Sequence, residues 1–294
     1  MKRTVAIGPI TLKNFCIFIS ETRFRLNRAV LRLRSMPRSW GKSSTTLKGS
    51  GKPLSSDIAA HPAMKLKGSL SDQERPMSEL AKKLEISGYA LLTRYRPEAD
   101  ILAVVHEIGV PIEPWEGGLV QLLKPRKDGT PNTYSGNFGL EQFPFHSDLA
   151  HWLRPPRYIL LRCQVGFEDT PTLLLDGRNL IQRISRPTLS RTVYRPRRPR
   201  AGAHTLLRLL ETEIDGEELL RWDELFLQPT NRFATDTGHT IGNFIKSYRP
   251  LAVALSRPGD ILIIDNWRML HARSPIVAGR EGRIIQRVYL GELN

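Results

Sequence analysis

From about residue 77 onward, short apolar runs alternate with turn-forming stretches, and their spacing shifts from helical to strand-like along the chain. Met77 to Ile86 and Glu98 to Ile108 place apolar residues at three- and four-residue intervals and read as helices, the first with Ser78 as its cap. Between them, Gly88-Tyr89-Ala90-Leu91-Leu92 reads as a strand. Leu119 to Leu123, Arg157 to Cys163, Thr172 to Leu175, Leu206 to Glu211 and Leu251 to Leu255 read as further strands. Asp176 or Gly177 opens a short helix through Ile184, and Thr240 to Tyr248 reads as another. Ser256-Arg257-Pro258-Gly259-Asp260 is a turn signal feeding the apolar run Ile261 to Asp265, which has the length of a buried strand. His271 follows at that strand's far end. After a turn-like stretch from Ser274 to Gly282 comes Arg283 to Leu290. There a period of two puts Arg283, Ile285, Arg287 and Tyr289 on one face and Ile284, Gln286, Val288 and Leu290 on the other. Many short strands, few helices and no glycine-rich phosphate loop predict an all-β core with peripheral helices.

Composition changes this picture mainly at the N-terminal end. The 294 residues are enough for one large domain or two small ones, and an apolar content of 40% is ordinary for a globular protein. The net charge of +15 resembles a nucleic-acid binder until it is divided along the chain. Residues 1–70 hold 14 of the 44 Lys and Arg but only Glu21 and Asp57 of the 29 acids, so residues 71–294 are nearly neutral. The leader is broken by stretches such as Lys48-Gly49-Ser50-Gly51-Lys52-Pro53 and is expected to be disordered or a linker. Arg23 to Arg34, with Phe24, Leu26, Val30, Leu31 and Leu33 interleaved, fits a short basic amphipathic helix. Two readings stay open: a mitochondrial or plastid transit segment, or a start codon placed upstream of the true start at Met36 or Met64. No apolar run reaches membrane-span length, and Cys16 and Cys163 fall one in the leader and one in the domain, which points to a reducing, cytoplasmic interior without a disulfide framework.

The candidate chemistry begins at His146-Ser147-Asp148. In an extended strand, residues two apart share a face, so His146 and Asp148 can reach one metal while Ser147 looks away. Two imidazoles and one carboxylate on one side of a metal make the facial set of an open non-haem Fe(II) site. His-x-Asp alone is a frequent chance triplet, and in isolation a structural polar pair at a strand end explains it better. His271 supplies the second imidazole, and the arginines beyond it alter the balance. Arg283 and Arg287 among branched apolar residues are costly to bury unless an anion meets them, and a planar guanidinium suits a carboxylate. The plainer alternative is a pair of snorkelling arginines on an edge strand.

Phe145-His146-Ser147-Asp148, the block PGDILIIDNWRMLHAR from Pro258 to Arg273 and GRIIQRVYL from Gly282 to Leu290 together resemble the taurine dioxygenase (TauD/TfdA-like) family of Fe(II)/2-oxoglutarate oxygenases, including its clavaminate synthase-like branch. The resemblance spans roughly residues 85 to 293, and the ordered set is far more specific than its pieces. It implies a double-stranded β-helix (jelly roll) and makes His146, Asp148 and His271 the iron ligands. It further implies that Arg283 and Thr172 hold the distal carboxylate of 2-oxoglutarate, and that Arg287 faces an acidic group of the substrate. The glycine pair usual before the co-substrate threonine is replaced by Gly166-Phe167-Glu168-Asp169-Thr170-Pro171, so Thr172 rather than Thr170 is a choice of alignment. The short interval from Asp148 to His271 implies a trimmed lid, and the carboxylate at 148 argues against a halogenating relative.

The implied activity is oxidation, by default hydroxylation, of a small acidic or amino-acid-like molecule, with O2 and 2-oxoglutarate as co-substrates and succinate and CO2 released. A catalytically silent jelly roll that binds a small carboxylate is one rival. The other is a nucleic-acid binder using the leader and the run Arg195 to Arg200, although in a nearly neutral domain that run is expected to be a solvated loop and no nucleic-acid partner is expected. His151 is expected to be an ordinary partly exposed histidine, and His204 and His239 have no partner spacing. Trp267 is expected to pack against the metal layer, and Trp115 and Trp152 to line a pocket or fill the core.

Overall fold

The computed structural model describes residues 74–115, 118–198 and 205–294. The leader with Cys16, His204, and the last two residues of the arginine run lie outside the described residues.

The first helix, α1 (Glu74–Ser87), starts three residues earlier than its apolar spacing indicates, so Ser78 sits inside it rather than at its cap. It stops at Gly88, whose φ of 76° is open to glycine and whose N–H returns to the Leu84 carbonyl at 2.7 Å. A Cβ on Gly88 would also meet the Met269 sulfur at 2.5 Å. Next come β1 (Tyr89–Leu92) and α2 (Ile101–Ile108), the latter capped by the Asp100 carboxylate, which accepts from the Leu102 N–H at 2.8 Å. That cap, not Glu98, sets where α2 begins.

The strands β2 (Gly109–Ile112) and β3 (Gln121–Leu123), the short α3 (Tyr134–Phe138), β4 (Tyr158–Val165) and β5 (Thr172–Asp176) follow. Asp176 caps α4 (Gly177–Ile184), and α5 (Arg186–Arg191) leads into β6 (Val193–Pro196). The segment from Leu206 to Glu211, expected as one strand, divides into β7 (Leu207–Arg208) and β8 (Leu210–Thr212). Leu209 between them turns its backbone to other partners, Thr192 and Arg221. After β9 (Glu218–Leu220) and β10 (Leu227–Pro229), α6 (Arg232–Ser247) begins eight residues before the helix expected from Thr240 to Tyr248. The chain then runs through β11 (Leu251–Val253), β12 (Ile261–Asp265), β13 (Met269–Arg273) and β14 (Ile284–Leu293). His271 thus lies inside a strand of its own, not at the end of the one before it.

The long sheet runs β1-β12-β4-β14-β2, with β3 also paired to β14, and a facing three-stranded sheet runs β11-β5-β13. Every pairing is antiparallel. The period-two pattern decides what each face buries. Leu160, Ile261, Ile263, Val288 and Leu290 pack under α1 and α2 with Leu80, Leu84, Val104 and Ile108. Their alternates Ile159, Leu161, Leu262, Ile264, Ile285 and Tyr289 meet Leu174 and Val253 of the facing sheet. A third apolar cluster lies under α4 and α6 around Leu180, Tyr194, Trp222 and Ile241. Two facing antiparallel sheets with helices on the outside make the mainly β core that the apolar pattern predicts, in the jelly-roll form that the resemblance implies. No helix among the described residues is long and apolar enough to cross a membrane.

Candidate metal centre

The two histidines meet because their backbones do. His146 and His271 form a single antiparallel bridge, the His146 N–H reaching the His271 carbonyl at 3.0 Å and the His271 N–H reaching the His146 carbonyl at 2.9 Å. This bridge extends the smaller sheet by one residue beyond β13. The expected strand through Asp148 does not form; the chain turns there, and Leu149 adopts a φ of 56°. Ser147 turns inward, exchanging hydrogen bonds with the Trp222 backbone at 2.8 and 3.1 Å. Asn266, just past β12, fixes the turn: its Oδ1 accepts the Asp148 N–H at 2.8 Å, and its Nδ2 donates to the Asp148 and Pro156 carbonyls at 3.0 and 2.9 Å.

The result is a buried cluster in which His146, Asp148 and His271 each offer one ligand atom, all within 4.8 Å of one another. Asp148 Oδ1 lies 3.4 Å from His146 Nε2 and 3.7 Å from His271 Nε2. His146 Nδ1 is 2.8 Å from the Pro144 carbonyl, a contact that assigns the proton to Nδ1 and leaves Nε2 as the free donor. Burial lowers the His271 pKa to about 3, helped by the charge of His146, so this imidazole is neutral at physiological pH. For His146 burial acts the same way, but Asp148 and Asp223 outweigh it and raise the pKa. Burial likewise opposes ionisation of Asp148, yet Arg287 and the two imidazoles hold its carboxyl below the usual carboxylate range. An ionised carboxylate beside a neutral imidazole matches the protonation states a divalent metal needs, and the two-nitrogen, one-oxygen donor set fits Fe(II).

A cavity of about 480 Å³ opens in front of this cluster, a volume suited to small-molecule ligands. Arg283, Ile285, Arg287 and Tyr289 all line it, so the face predicted from the period of two is the face that meets the site. Arg283 is buried, its Nε has no hydrogen-bond partner, and no carboxylate pairs with it among the described residues. Desolvation lowers its pKa to about 10, which leaves it charged at neutral pH. Thr172 lines the same cavity and stands opposite Arg273 in the β5–β13 register. Arg287, expected to face substrate, gives Nε and Nη2 to Gln121 Oε1 at 2.9 and 2.7 Å and Nη1 to Asp148 Oδ2 at 2.8 Å. The Tyr289 hydroxyl donates to the same Oδ2 at 3.0 Å.

Several residues at the site were not singled out from the sequence. Tyr289 sits two positions past Arg287 on the predicted face, so the alternation already pointed to it. Asn266 lies inside the PGD-to-His block. Tyr134 and Asp223 line the cavity, and Gln121 reaches Arg287 behind it, from separate segments that carry no local signal. The Tyr134 ring stacks on His146 at 4.2 Å, while buried Asp223 accepts the Leu225 and Phe226 N–H groups, both at 2.8 Å. Burial raises the Asp223 pKa despite those bonds.

Among the residues first read as bland, His151 and Trp115 line the cavity, His151 lying 5.8 Å from the Phe226 ring and Trp115 edge-on to Tyr289. His239 is exposed on α6. Trp267 does not pack against the metal layer. It lies in the turn before β13, away from the cavity, where its Nε1 donates to the Pro155 carbonyl and Arg154 and Arg157 cover its ring. Cys163 is a buried free thiol whose pKa burial pushes up to about 11.

The family model described as taurine catabolism dioxygenase TauD, TfdA family matches residues 254–289. No curated protein matches the chain by sequence. Among solved structures, asparagine oxygenase in complex with Fe(II), 2S,3S-3-hydroxyasparagine and succinate is similar at 19% identity and a TM-score of 0.57, over 74% of this chain and 79% of that one. The non-heme iron oxygenase OrfP in complex with Fe and alpha-ketoglutaric acid gives 17% identity and a TM-score of 0.54, over 74% and 80%. The PvcB protein from Pseudomonas aeruginosa gives 17% identity and a TM-score of 0.53, over 74% and 81%. At such identities the likeness is one of fold. The matched segment carries both His271 and Arg283, so the chain is similar to the TauD/TfdA family over that segment and shares its fold with these iron oxygenases.

Proposed function

We propose that the protein is an Fe(II)- and 2-oxoglutarate-dependent dioxygenase that hydroxylates a small, acidic or amino-acid-like molecule. The observation that carries this reading is the coincidence, in one cavity, of a buried two-histidine, one-carboxylate cluster with a buried arginine that has no anion of its own. His146, Asp148 and His271 would hold the metal, which when bound supplies oxygen activation coupled to the decarboxylation of 2-oxoglutarate to succinate and CO2.

The chain's own residues do the rest. Arg283 presents a charged, desolvated guanidinium to the distal carboxylate, and Thr172 offers a hydroxyl from the facing sheet. Asn266 pins the turn that carries Asp148, so the ligand set is organised before anything binds. The rings of Tyr134, Phe143 and Phe226 wall the cavity and keep water from the reacting centre. Arg287 has five N–H donors, of which three are used within the protein, leaving two for an acidic group of the substrate. The similar structures support a substrate of this size, since asparagine oxygenase was solved with a hydroxyasparagine and OrfP with (3S)-hydroxy-L-Arg.

Anaerobic titration with Fe(II) and 2-oxoglutarate tests the proposal directly. A metal-to-ligand charge-transfer band is expected in the wild type and is expected to be lost in His271→Ala. A folded wild-type protein that gives no band sinks the reading.

A further inference from the structure

We propose that Arg287 and Tyr289 act together as positioning residues that restrict Asp148 to a single coordinating oxygen. The inference rests on the metal-site reading above and goes beyond it. The two oxygens of the Asp148 carboxylate have different surroundings. Oδ2 accepts from Arg287 Nη1 at 2.8 Å and from the Tyr289 hydroxyl at 3.0 Å, which fills both of its lone-pair directions. Oδ1 takes neither bond and is the atom that lies 3.4 and 3.7 Å from the two imidazole Nε2 atoms.

This asymmetry is held from outside the cluster. Gln121 Oε1 accepts from both Nε and Nη2 of Arg287, fixing the guanidinium on its far edge. Tyr289 is almost fully buried on β14, where its backbone pairs with Ile159 on one side and Ile112 on the other. Turning the carboxylate to offer both oxygens to a metal would break two charge-assisted hydrogen bonds in a buried place, one of them an ion pair. A carboxylate kept to one oxygen leaves an adjacent coordination position open for the chelating co-substrate, whereas a two-oxygen grip would compete for it. Arg287 also withdraws charge from the carboxylate and so weakens it as a donor.

The test uses Arg287→Met, Arg287→Lys and Tyr289→Phe in the full chain, each loaded anaerobically with Fe(II) and titrated with 2-oxoglutarate while the charge-transfer band is followed. All three should still bind one iron. Arg287→Met should weaken 2-oxoglutarate binding by about tenfold and move the band to longer wavelength, because the freed carboxylate donates more charge to the iron. Tyr289→Phe, which removes one hydroxyl and no charge, should move both quantities the same way by less. Arg287→Lys, which keeps a cation and one donor, should recover most of the affinity. Wild-type band position and affinity in both Arg287→Met and Tyr289→Phe would overturn the proposal, as would an effect confined to the KM of the oxidised substrate. If Arg287→Met does not fold, Tyr289→Phe decides alone. Absence of the band in the wild type overturns the metal-site reading itself and this inference with it.

Discussion

Arg283 brings a positive charge into a wall where burial alone lowers its pKa to about 10, and Arg273 nearby is lowered to about 10 by burial and by the charge of Arg283. Arg273 uses Nη2 on the Gly139 and Glu141 carbonyls, whereas Arg283 has no such anchor. A buried cation without an anion destabilises the fold that holds it. Arg283→Leu is therefore expected to raise the melting temperature of the ligand-free protein by a few degrees, roughly the effect of 1 kcal/mol in a domain of this size. The same change should weaken 2-oxoglutarate binding by at least about tenfold, since hydrogen bonds to charged groups contribute about 1.5–3 kcal/mol. Calorimetry with and without the co-substrate checks both signs. At this scale the sequence was informative wherever a strand kept its period. Arg283, Ile285, Arg287 and Tyr289 could be placed on one face before any coordinates, but the preference of Arg287 for Asp148 and Gln121 could not, because Gln121 belongs to a strand paired across the sheet.

Elements were legible where local and tertiary preferences agreed. The strand β12 and its preceding turn match their expectation, and Asp260 shows why: its carboxylate accepts the Ser256, Arg257 and Arg94 N–H groups at 3.1, 2.8 and 2.9 Å, so one side chain organises the whole turn. In contrast, α6 contains Gly238, Gly242 and three threonines, which are weak helix formers, and its first half was missed. Burial of Ala234, Thr237 and Ile241, together with the Asn231 cap on the Ala234 N–H, overrides that propensity. The stretch from His146 to Asp148 failed as a strand for a related reason. Its geometry comes from Trp222 and Asn266, remote in sequence, and not from its own residues. Asn266→Ala removes three buried hydrogen bonds at once. It should cost about 2–4 kcal/mol of stability, judged from about 1 kcal/mol for each bond, and loosen Fe(II) binding by about tenfold. Urea unfolding and competition with a ferrous chelator measure the two effects separately.

At the scale of the molecule, charge and chemistry are separate. The basic excess is concentrated in residues 1–70, whereas the cavity and both facing sheets are built from residues beyond 88. Deleting residues 1–63 is expected to leave the iron and 2-oxoglutarate titration unchanged while abolishing any salt-sensitive binding to nucleic acid. Loss of the charge-transfer band in the shortened protein would show instead that the leader supports the site. Composition made this division visible, because it needs only a count of charges along the chain. The stacking of the two sheets was implied only by resemblance, since alternation shows that a strand has two faces but not what each one meets.

An interior strand of the long sheet is also the last of its strands in the chain. β14 lies between β4 on one side and β2 and β3 on the other, all of which precede it. During synthesis, His146 and Asp148 therefore leave the ribosome well before the strand that secures Asp148, and β4 waits with an open edge until β14 slides in. The metal site can mature only after nearly the whole domain has emerged, so iron loading should follow synthesis rather than guide it.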